Sequence, residues 1–237
     1  MVSSQSVSQD KVSLGLDPTD PFAKEPRACT LAILDSSFQC TFTDWNYSLA
    51  GEGLLPSAAK GKQFILAIDG PQGLAGKAGA RMRDCERALS TPGKSPYDFP
   101  ERHVPFAGFI QGSVKLFHNL YEDSSRFRIA AVRGNAAENA NLIEIYPGKA
   151  WPILNGGKPL KKKSSPLGLQ ERHRLLVARG IIFPPKFRFT HDHLDAALCA
   201  WIAYLFSRQQ VQLIGEPPNE DQEAHVLREG YIVQPNS

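Results

Sequence analysis

The stretch Gln63-Phe-Ile-Leu-Ala-Ile-Asp69 carries the clearest strand signal in the sequence, because an unbroken apolar run ends abruptly at an acidic residue. Such a run is typical of a strand that is buried on both faces of a sheet. Gly70 and Pro71 follow immediately and end the strand. The pattern therefore predicts a central strand with the Asp69 carboxylate at its carboxyl end.

Other elements are predicted on both sides of this strand. Residues 28–34 and 38–44 predict an antiparallel hairpin, since apolar and polar residues alternate through the second segment. Residues 141–147 predict another strand. Strands that alternate with helices after an opening hairpin predict an α/β fold, in which helices flank a mixed sheet. Apolar residues at helical spacing predict helices over residues 79–89, 109–121, 167–179 and 192–206.

Length and composition indicate one domain of ordinary globular type. The chain has 237 residues, of which 42% are hydrophobic and 22% are charged, which is enough for one sizeable core. Residues 1–27 are rich in Ser, Asp, Pro and Gln and show no sustained period. This segment predicts a mobile N-terminal arm ahead of a domain over residues 28–237.

Charge, cysteine spacing and apolar segments bear on the binding partners and the cellular compartment that we expect for the protein. The net charge of +3, from 27 basic and 24 acidic residues, means that any surface for nucleic acid must be local. The four cysteines lack Cys-x-x-Cys spacing, which favours reduced, buried thiols. The sequence has neither a long apolar run nor a secretory signal, so we expect a cytoplasmic protein without membrane contact. A homo-oligomer is compatible with the sequence.

Acidic residues occur at the ends of predicted strands and at a helix start. Asp35 follows the first predicted strand, Asp69 follows the central one, and Glu144 lies within a third. Asp192 and Asp195 open the last predicted helix. Acids at the ends of buried strands are costly unless something pairs with them. Several carboxylate oxygens that converge on one point suit a hard cation such as Mg²⁺ or Mn²⁺.

Each of these acids also has a purely structural explanation. Asp35 and Asp69 are residue types that favour turns. Glu144 can be a sheet residue paired with a lysine or an arginine. Asp192 can be a helix N-cap, with Asp195 as its capping-box partner. The metal-site hypothesis therefore depends on the joint pattern of the acids.

At these residues the sequence resembles a known family, domain-of-unknown-function family 429. The resemblance runs in order along nearly the whole chain after the arm, and it implies an RNase H-like fold and a predicted nuclease. It is carried by residues 67–71 (AIDGP), 81–86 (RMRDCE), 142–147 (LIEIYP), 168–176 (GLQERHRLL), 191–205 (HDHLDAALCAWIAYL) and 229–235 (EGYIVQP).

The resemblance also implies a set of metal ligands. In the wider RNase H-like superfamily, acids on the first strand, the fourth strand and the last helix bind two metal ions. Carried over to this sequence, the ligands are Asp35, Asp69, Asp192 and Asp195, and the two ions are Mg²⁺ or Mn²⁺. Glu144 falls in the family's Glu-x-Tyr-Pro strand and is a further candidate catalytic residue. The family has glycine shortly before the first-strand acid, as in Gly-Ile-Asp, whereas Ala-Ile-Leu precedes Asp35 here.

Together these features predict a metal-dependent nuclease that cleaves the phosphodiester bonds of DNA or RNA by a two-metal mechanism. The candidate phosphate-binding residues are basic side chains near the acids, and lysine runs are also common in solvated loops. The arginines can instead pair with neighbouring acids. The candidates are Arg81, Arg83, Lys161, Lys162 and Lys163.

Two other functions remain open at the level of the sequence. One is a catalytically inactive nucleic-acid-binding or scaffold protein of the same fold. The other is a small-molecule phosphotransferase, because the fold also hosts sugar-kinase-like ATPases. Residues 70–73 (GPQG) are a weak candidate for a phosphate loop, since they lack the G-x-x-x-x-G-K-[ST] pattern.

Overall fold

A computed structural model describes residues 11–47, 61–130 and 139–236. The described residues form nine strands and five helices. The strands are β1 (Lys11–Asp17), β2 (Cys29–Leu34), β3 (Cys40–Trp45), β4 (Gln63–Asp69), β5 (Leu142–Ile145), β6 (Val211–Ile214), β7 (Asn219–Asp221), β8 (Val226–Arg228) and β9 (Ile232–Pro235). The helices are α1 (Asp84–Leu89), α2 (Ala107–Glu122), α3 (Pro147–Leu154), α4 (Pro166–Val177) and α5 (His191–Ser207).

Seven of the strands form one mixed sheet in the order β3-β2-β1-β4-β5-β9-β6, and β7 and β8 form a small separate pair. β1, β4, β5 and β9 run parallel, whereas β2 is antiparallel to β1, β3 to β2, and β6 to β9. Leu16 of β1 lies opposite Ile68 of β4, so Asp17 and Asp69 end two adjacent parallel strands. Parallel strands present their carboxyl ends at one edge, where ligands of such sheets commonly bind.

Helices cover both faces of this sheet. α5 packs on the face that includes Ala32 and Ala67, and α3 and α4 lie beside it. Phe117 and Leu120 of α2 pack on the opposite face, together with Leu66. The described residues therefore confirm the predicted α/β architecture of a mixed sheet flanked by helices.

β1 corrects the prediction that residues 1–27 form a mobile arm. Residues 11–17 of that segment form a buried strand between β2 and β4. The strand alternates, because Val12, Leu14 and Leu16 pack on the α2 side while small residues occupy the other face. With few apolar residues and polar sequence around it, this segment gives a weak strand signal although it lies at the centre of the sheet.

Gly15 is the reason why α5 can lie so close to β1. A side chain at this position would place its Cβ 2.1 Å from the backbone oxygen of Ala196 and 2.3 Å from the backbone nitrogen of Ala200. Only glycine permits the backbones of the strand and the helix to approach this far. This close approach sets the position of the first turns of α5 at the carboxyl end of β1.

Several predicted elements are confirmed with small shifts in their ends. β4 has the predicted bounds, and α5 extends the predicted helix by one residue at each end. The predicted hairpin is present as β2 and β3, although β1 precedes it in the sheet. The strand predicted over residues 141–147 ends earlier, at Ile145, and Pro147 instead occupies the first turn of α3, where proline is favoured.

The cysteines are placed as the sequence predicts. All four are buried and free, as expected for a chain without a disulfide framework. Among the described residues, none of the helices combines the length and the apolar character that a membrane span requires.

Candidate functional site

Four carboxylates converge at the carboxyl edge of the parallel strands. Asp17 ends β1, Asp69 ends β4, and Asp192 and Asp195 lie in the first two turns of α5. Oxygens of Asp17 and Asp195 and a ring nitrogen of His191 lie within 4.8 Å of one another. We call Asp17, Asp69, Asp192 and Asp195 the acid group.

The acid group lines a cavity of about 510 Å³. The cavity is enclosed on one side by the strand ends and α5, and on another by the beginning of α2. Basic and phenolic side chains also reach it, among them Lys163, Arg27 and Tyr146. A partly enclosed space of this size, with a few charged groups in a largely apolar lining, is typical of sites for small molecules or for parts of larger substrates.

Burial and repulsion from neighbouring acids make Asp17 and Asp69 reluctant to ionise. Burial raises the pKa of Asp17 well above its usual value, and the charges of Asp69, Asp195 and Asp192 raise it further. Burial likewise raises the pKa of Asp69, with added repulsion chiefly from Asp195. Lys163 lowers the pKa of both acids but does not compensate for the accumulated negative charge. The site is therefore short of positive charge.

Asp195 is the most firmly held member of the acid group. Its carboxylate is 3% exposed and accepts a hydrogen bond of 2.6 Å from Nε1 of Trp151. Nζ of Lys163 lies 3.3 Å from its other oxygen. Arg172 lies over the Trp151 ring, 5.5 Å from its centroid. These contacts from α3 and α4 fix the orientation of Asp195 toward the cavity.

The beginning of α5 shows why Asp192 is not a capping residue. Thr190 is the N-cap, and its partner in the capping box is His193. The explanation of Asp192 and Asp195 as a capping pair is therefore wrong. Asp192 lies in the first helical turn, where the positive end of the helix dipole favours an acid, and its Oδ2 is 3.5 Å from Nη1 of Arg27.

The two histidines of this turn point in different directions. Nδ1 of His191 lies 2.6 Å from Oδ1 of Asp192, and His191 lines the cavity. His193 instead packs edge-on against the rings of Phe42 and Phe187. Only His191 is therefore placed to contact a ligand of the acid group.

Asp35 does not belong to the acid group, so the structure does not bring it together with the other three predicted metal ligands. β2 is antiparallel to β1, with Leu34 opposite Ser13 and Thr30 opposite Asp17, so Asp35 lies toward the other edge of the sheet. Its exposed carboxylate accepts hydrogen bonds within its own turn. The turn-forming role is the one that the structure supports.

Glu144 is paired with an arginine, as its structural explanation allowed. Nη1 and Nη2 of Arg83 donate to its two oxygens at 2.7 and 2.6 Å, and the backbone N–H of Gln72 donates to it at 2.8 Å. Arg83 is 1% exposed and also pairs with Glu86. Glu144 and Arg83 both line the cavity, but each is engaged by the other, so their assignments as a catalytic acid and a phosphate ligand stay predictions.

Of the other basic candidates, Lys163 alone lines the cavity. Lys161 and Lys162 are exposed on the adjoining segment, whose backbone is attached to α4 by the hydrogen bond from Nη1 of Arg172 to the Lys161 carbonyl. Arg81 is exposed and is not among the residues that line the cavity.

Three backbone amides of the loop after β4 are already hydrogen-bonded within the protein. The backbone N–H of Gly70 donates to Ile68, that of Gln72 to Glu144 and that of Leu74 to Leu227. These amides are therefore committed within the protein.

Asp17 is the member of the acid group that sequence reasoning missed, and a signal for it was present. Gly15-Leu16-Asp17 has the glycine, apolar residue and acid of the family's Gly-Ile-Asp pattern, which the segment before Asp35 lacks. Trp151 and Tyr146 were missed for a different reason, since their role depends on α3, which was not predicted.

Comparison with known proteins gives one match. Neither the search of curated proteins nor the search of solved structures found a match to the chain. A family model described as "Protein of unknown function (DUF429)" matches residues 52–220, a span that includes β4, β5 and α5 but begins after β1. The chain belongs to this family, DUF429.

Proposed function

We propose that this protein is an RNase H-like, metal-dependent phosphodiesterase that hydrolyses nucleic acid. The observation that carries the proposal is the convergence of the acid group on one cavity. The acids occupy the first strand, the fourth strand and the last helix, which is the arrangement that the RNase H-like resemblance implies. With Asp17 in place of Asp35, the set is complete.

The ligand atoms of the acid group suit a hard divalent cation. Carboxylate oxygens are the ligands that Mg²⁺ and Mn²⁺ prefer, and the imidazole of His191 is compatible with Mn²⁺. The raised pKa values of Asp17 and Asp69 mark a deficit of positive charge that such a cation corrects. Asp17, Asp69, Asp192 and Asp195 would hold one or two ions.

When bound, such ions would activate water and neutralise the charge on a scissile phosphate. The chain itself supplies the remaining functions. Lys163 and Arg27 bring positive charge to the rim of the cavity, where a phosphate would lie. Trp151 holds the Asp195 carboxylate in one orientation, which limits reorganisation during the reaction. Tyr146 presents a phenol to the same cavity, and burial and Asp69 raise its pKa, so it stays protonated and can donate.

The alternative of a phosphotransferase has less support. It needs a loop whose free amides hold nucleotide phosphates, and the amides of Gly70, Gln72 and Leu74 after β4 are engaged with backbone carbonyls and with Glu144. An inactive scaffold of the same fold differs from the proposed hydrolase only in activity, so an assay decides between them.

The test is a cleavage assay on labelled single-stranded and duplex DNA and RNA, with Mg²⁺ or Mn²⁺ and with chelator. We expect cleavage that needs the metal, and loss of that cleavage in Asp17→Asn. Asp35→Asn is the matched control, because it removes an acid from a strand-end turn outside the acid group and should leave the rate unchanged. Metal-independent binding without cleavage would instead identify a scaffold.

A further inference from the structure

The cavity has two chemically different sides. The acid group, Lys163 and Arg27 form the charged side, which suits a phosphate and the ions that accompany it. The side formed by the beginning of α2 is aromatic and apolar, and it includes Phe106, Phe109 and Ile110. A ligand that fills both sides must combine an anionic group with a flat or apolar group.

Phe106 is the N-cap of α2 and Phe109 lies in the first turn of that helix, so both reach the cavity at the beginning of α2. Phe109 is partly buried among core residues, and its ring tip lies 3.4 Å from where a Cβ on Gly70 would be. Gly70 directly follows Asp69. The aromatic side of the cavity therefore begins beside the acid group.

Phe106 differs from an ordinary core aromatic residue. Its side chain is 50% exposed although it lines a cavity, and its backbone has φ of 67°, in the left-handed region. A bulky residue rarely adopts this conformation, and such residues concentrate at ligand sites. The site thus keeps an exposed ring in a backbone conformation that favours glycine.

We propose that Phe106 is the stacking platform for one nucleobase, so that the protein binds single-stranded nucleic acid one nucleotide at a time. This inference rests on the proposed function and names its substrate class. Aromatic side chains stack on bases without regard to sequence, and a paired, stacked base inside a duplex cannot present its face to Phe106. A cavity of about 510 Å³ is in the range that holds one small ligand.

The test compares two ligands that differ only in the base, thymidine 5′-monophosphate and 2-deoxyribose 5-phosphate, by calorimetry in the presence of Mn²⁺. The wild type should bind the nucleotide more tightly by roughly 5- to 150-fold, the range expected for one stacked base. Phe106→Ala should remove most of this difference and leave 2-deoxyribose 5-phosphate unaffected. Phe106→Tyr, which keeps the ring, should retain it.

Phe22→Ala is the matched control, because Phe22 is 45% exposed and does not line the cavity. It should bind both ligands as the wild type does. A single-stranded oligothymidylate should displace the nucleotide, whereas the same strand paired in a duplex should not.

The inference fails if Phe106→Ala weakens the binding of both ligands equally or weakens the binding of neither. It also fails if the duplex competes as well as the single strand. Neither thymidine 5′-monophosphate nor 2-deoxyribose 5-phosphate contains a phosphodiester bond to cleave, so the comparison between these two ligands is independent of catalysis. The cleavage assay with Asp17→Asn decides the proposed function separately.

Discussion

Asp17→Asn should make the metal-free protein more stable while it weakens metal binding. Oxygens of Asp17 and Asp195 lie within 4.8 Å of each other. At an effective dielectric constant of about 20, two unit charges at that separation repel by about 3 kcal/mol. Lys163 lies against Asp195 and offsets part of this repulsion. We therefore expect a gain of about 1–2 kcal/mol in the free energy of unfolding, or roughly 2–8 °C in Tm.

The stability that Asp17→Asn gains over the wild type should increase as the pH rises. The pKa of Asp17 is raised in the folded protein, so the folded state holds this proton to higher pH than the unfolded chain does. The wild type therefore loses stability as the pH rises above the usual value of 3.8 and through the raised pKa. Asn does not titrate, so the Tm difference between variant and wild type should be small at acid pH and widen as pH rises.

Bound metal should make the wild type more stable than Asp17→Asn. A cation at 100 times its Kd stabilises the wild type by about 2.7 kcal/mol, and Asp17→Asn removes a charged ligand and much of that gain. Thermal melts across pH, with and without Mn²⁺, measure both effects, and Asp69→Asn should behave in the same way. If Asp17→Asn melts below the wild type at every pH and Mn²⁺ leaves the wild type unchanged, Asp17 is structural and the reasoning fails.

Two further predictions concern the basic residues. Arg83→Met should lower the free energy of unfolding by about 3–5 kcal/mol, because it leaves the buried Glu144 charge unpaired. Arg87→Met removes an exposed ion pair and should cost at most about 1 kcal/mol. Urea denaturation measures both losses, and losses of similar size would contradict the structural role of Arg83. Replacing residues 161–163 with alanine should weaken nucleic-acid binding and flatten its salt dependence, because lysine–phosphate contacts release counterions. An unchanged salt slope in a titration would exclude phosphate contact by this segment.

The central strand and the last helix were predictable because each depends on a local pattern. Residues 63–69 form a continuous apolar run, and residues 192–206 repeat apolar residues at helical spacing, so burial alone selects their conformation. β1 was not predictable in this way. Its second face includes Gly15, which must lack a side chain because α5 packs closely against it, and that requirement comes from tertiary structure.

The same distinction explains the candidate site. Asp69, Asp192 and Asp195 could be placed because they end or begin strongly patterned elements. Asp35 and Glu144 also follow this pattern, and only strand direction and the position of Arg83 separate them from the acid group. The antiparallel pairing of β2 moves Asp35 to the other edge of the sheet. Strand direction and partners distant in sequence are not encoded by local periodicity.

The most direct test of the account is the anomalous X-ray signal of Mn²⁺ in crystals of the full chain. In our proposal, Asp17, Asp69, Asp192 and Asp195 form a site for divalent cations. We expect an anomalous peak within bonding distance of oxygens from Asp17 and at least one of the other three acids, and no such peak in crystals of Asp17→Asn. Crystals whose Mn²⁺ signal is absent from the acid group, or lies at another place such as Asp35, would contradict the account.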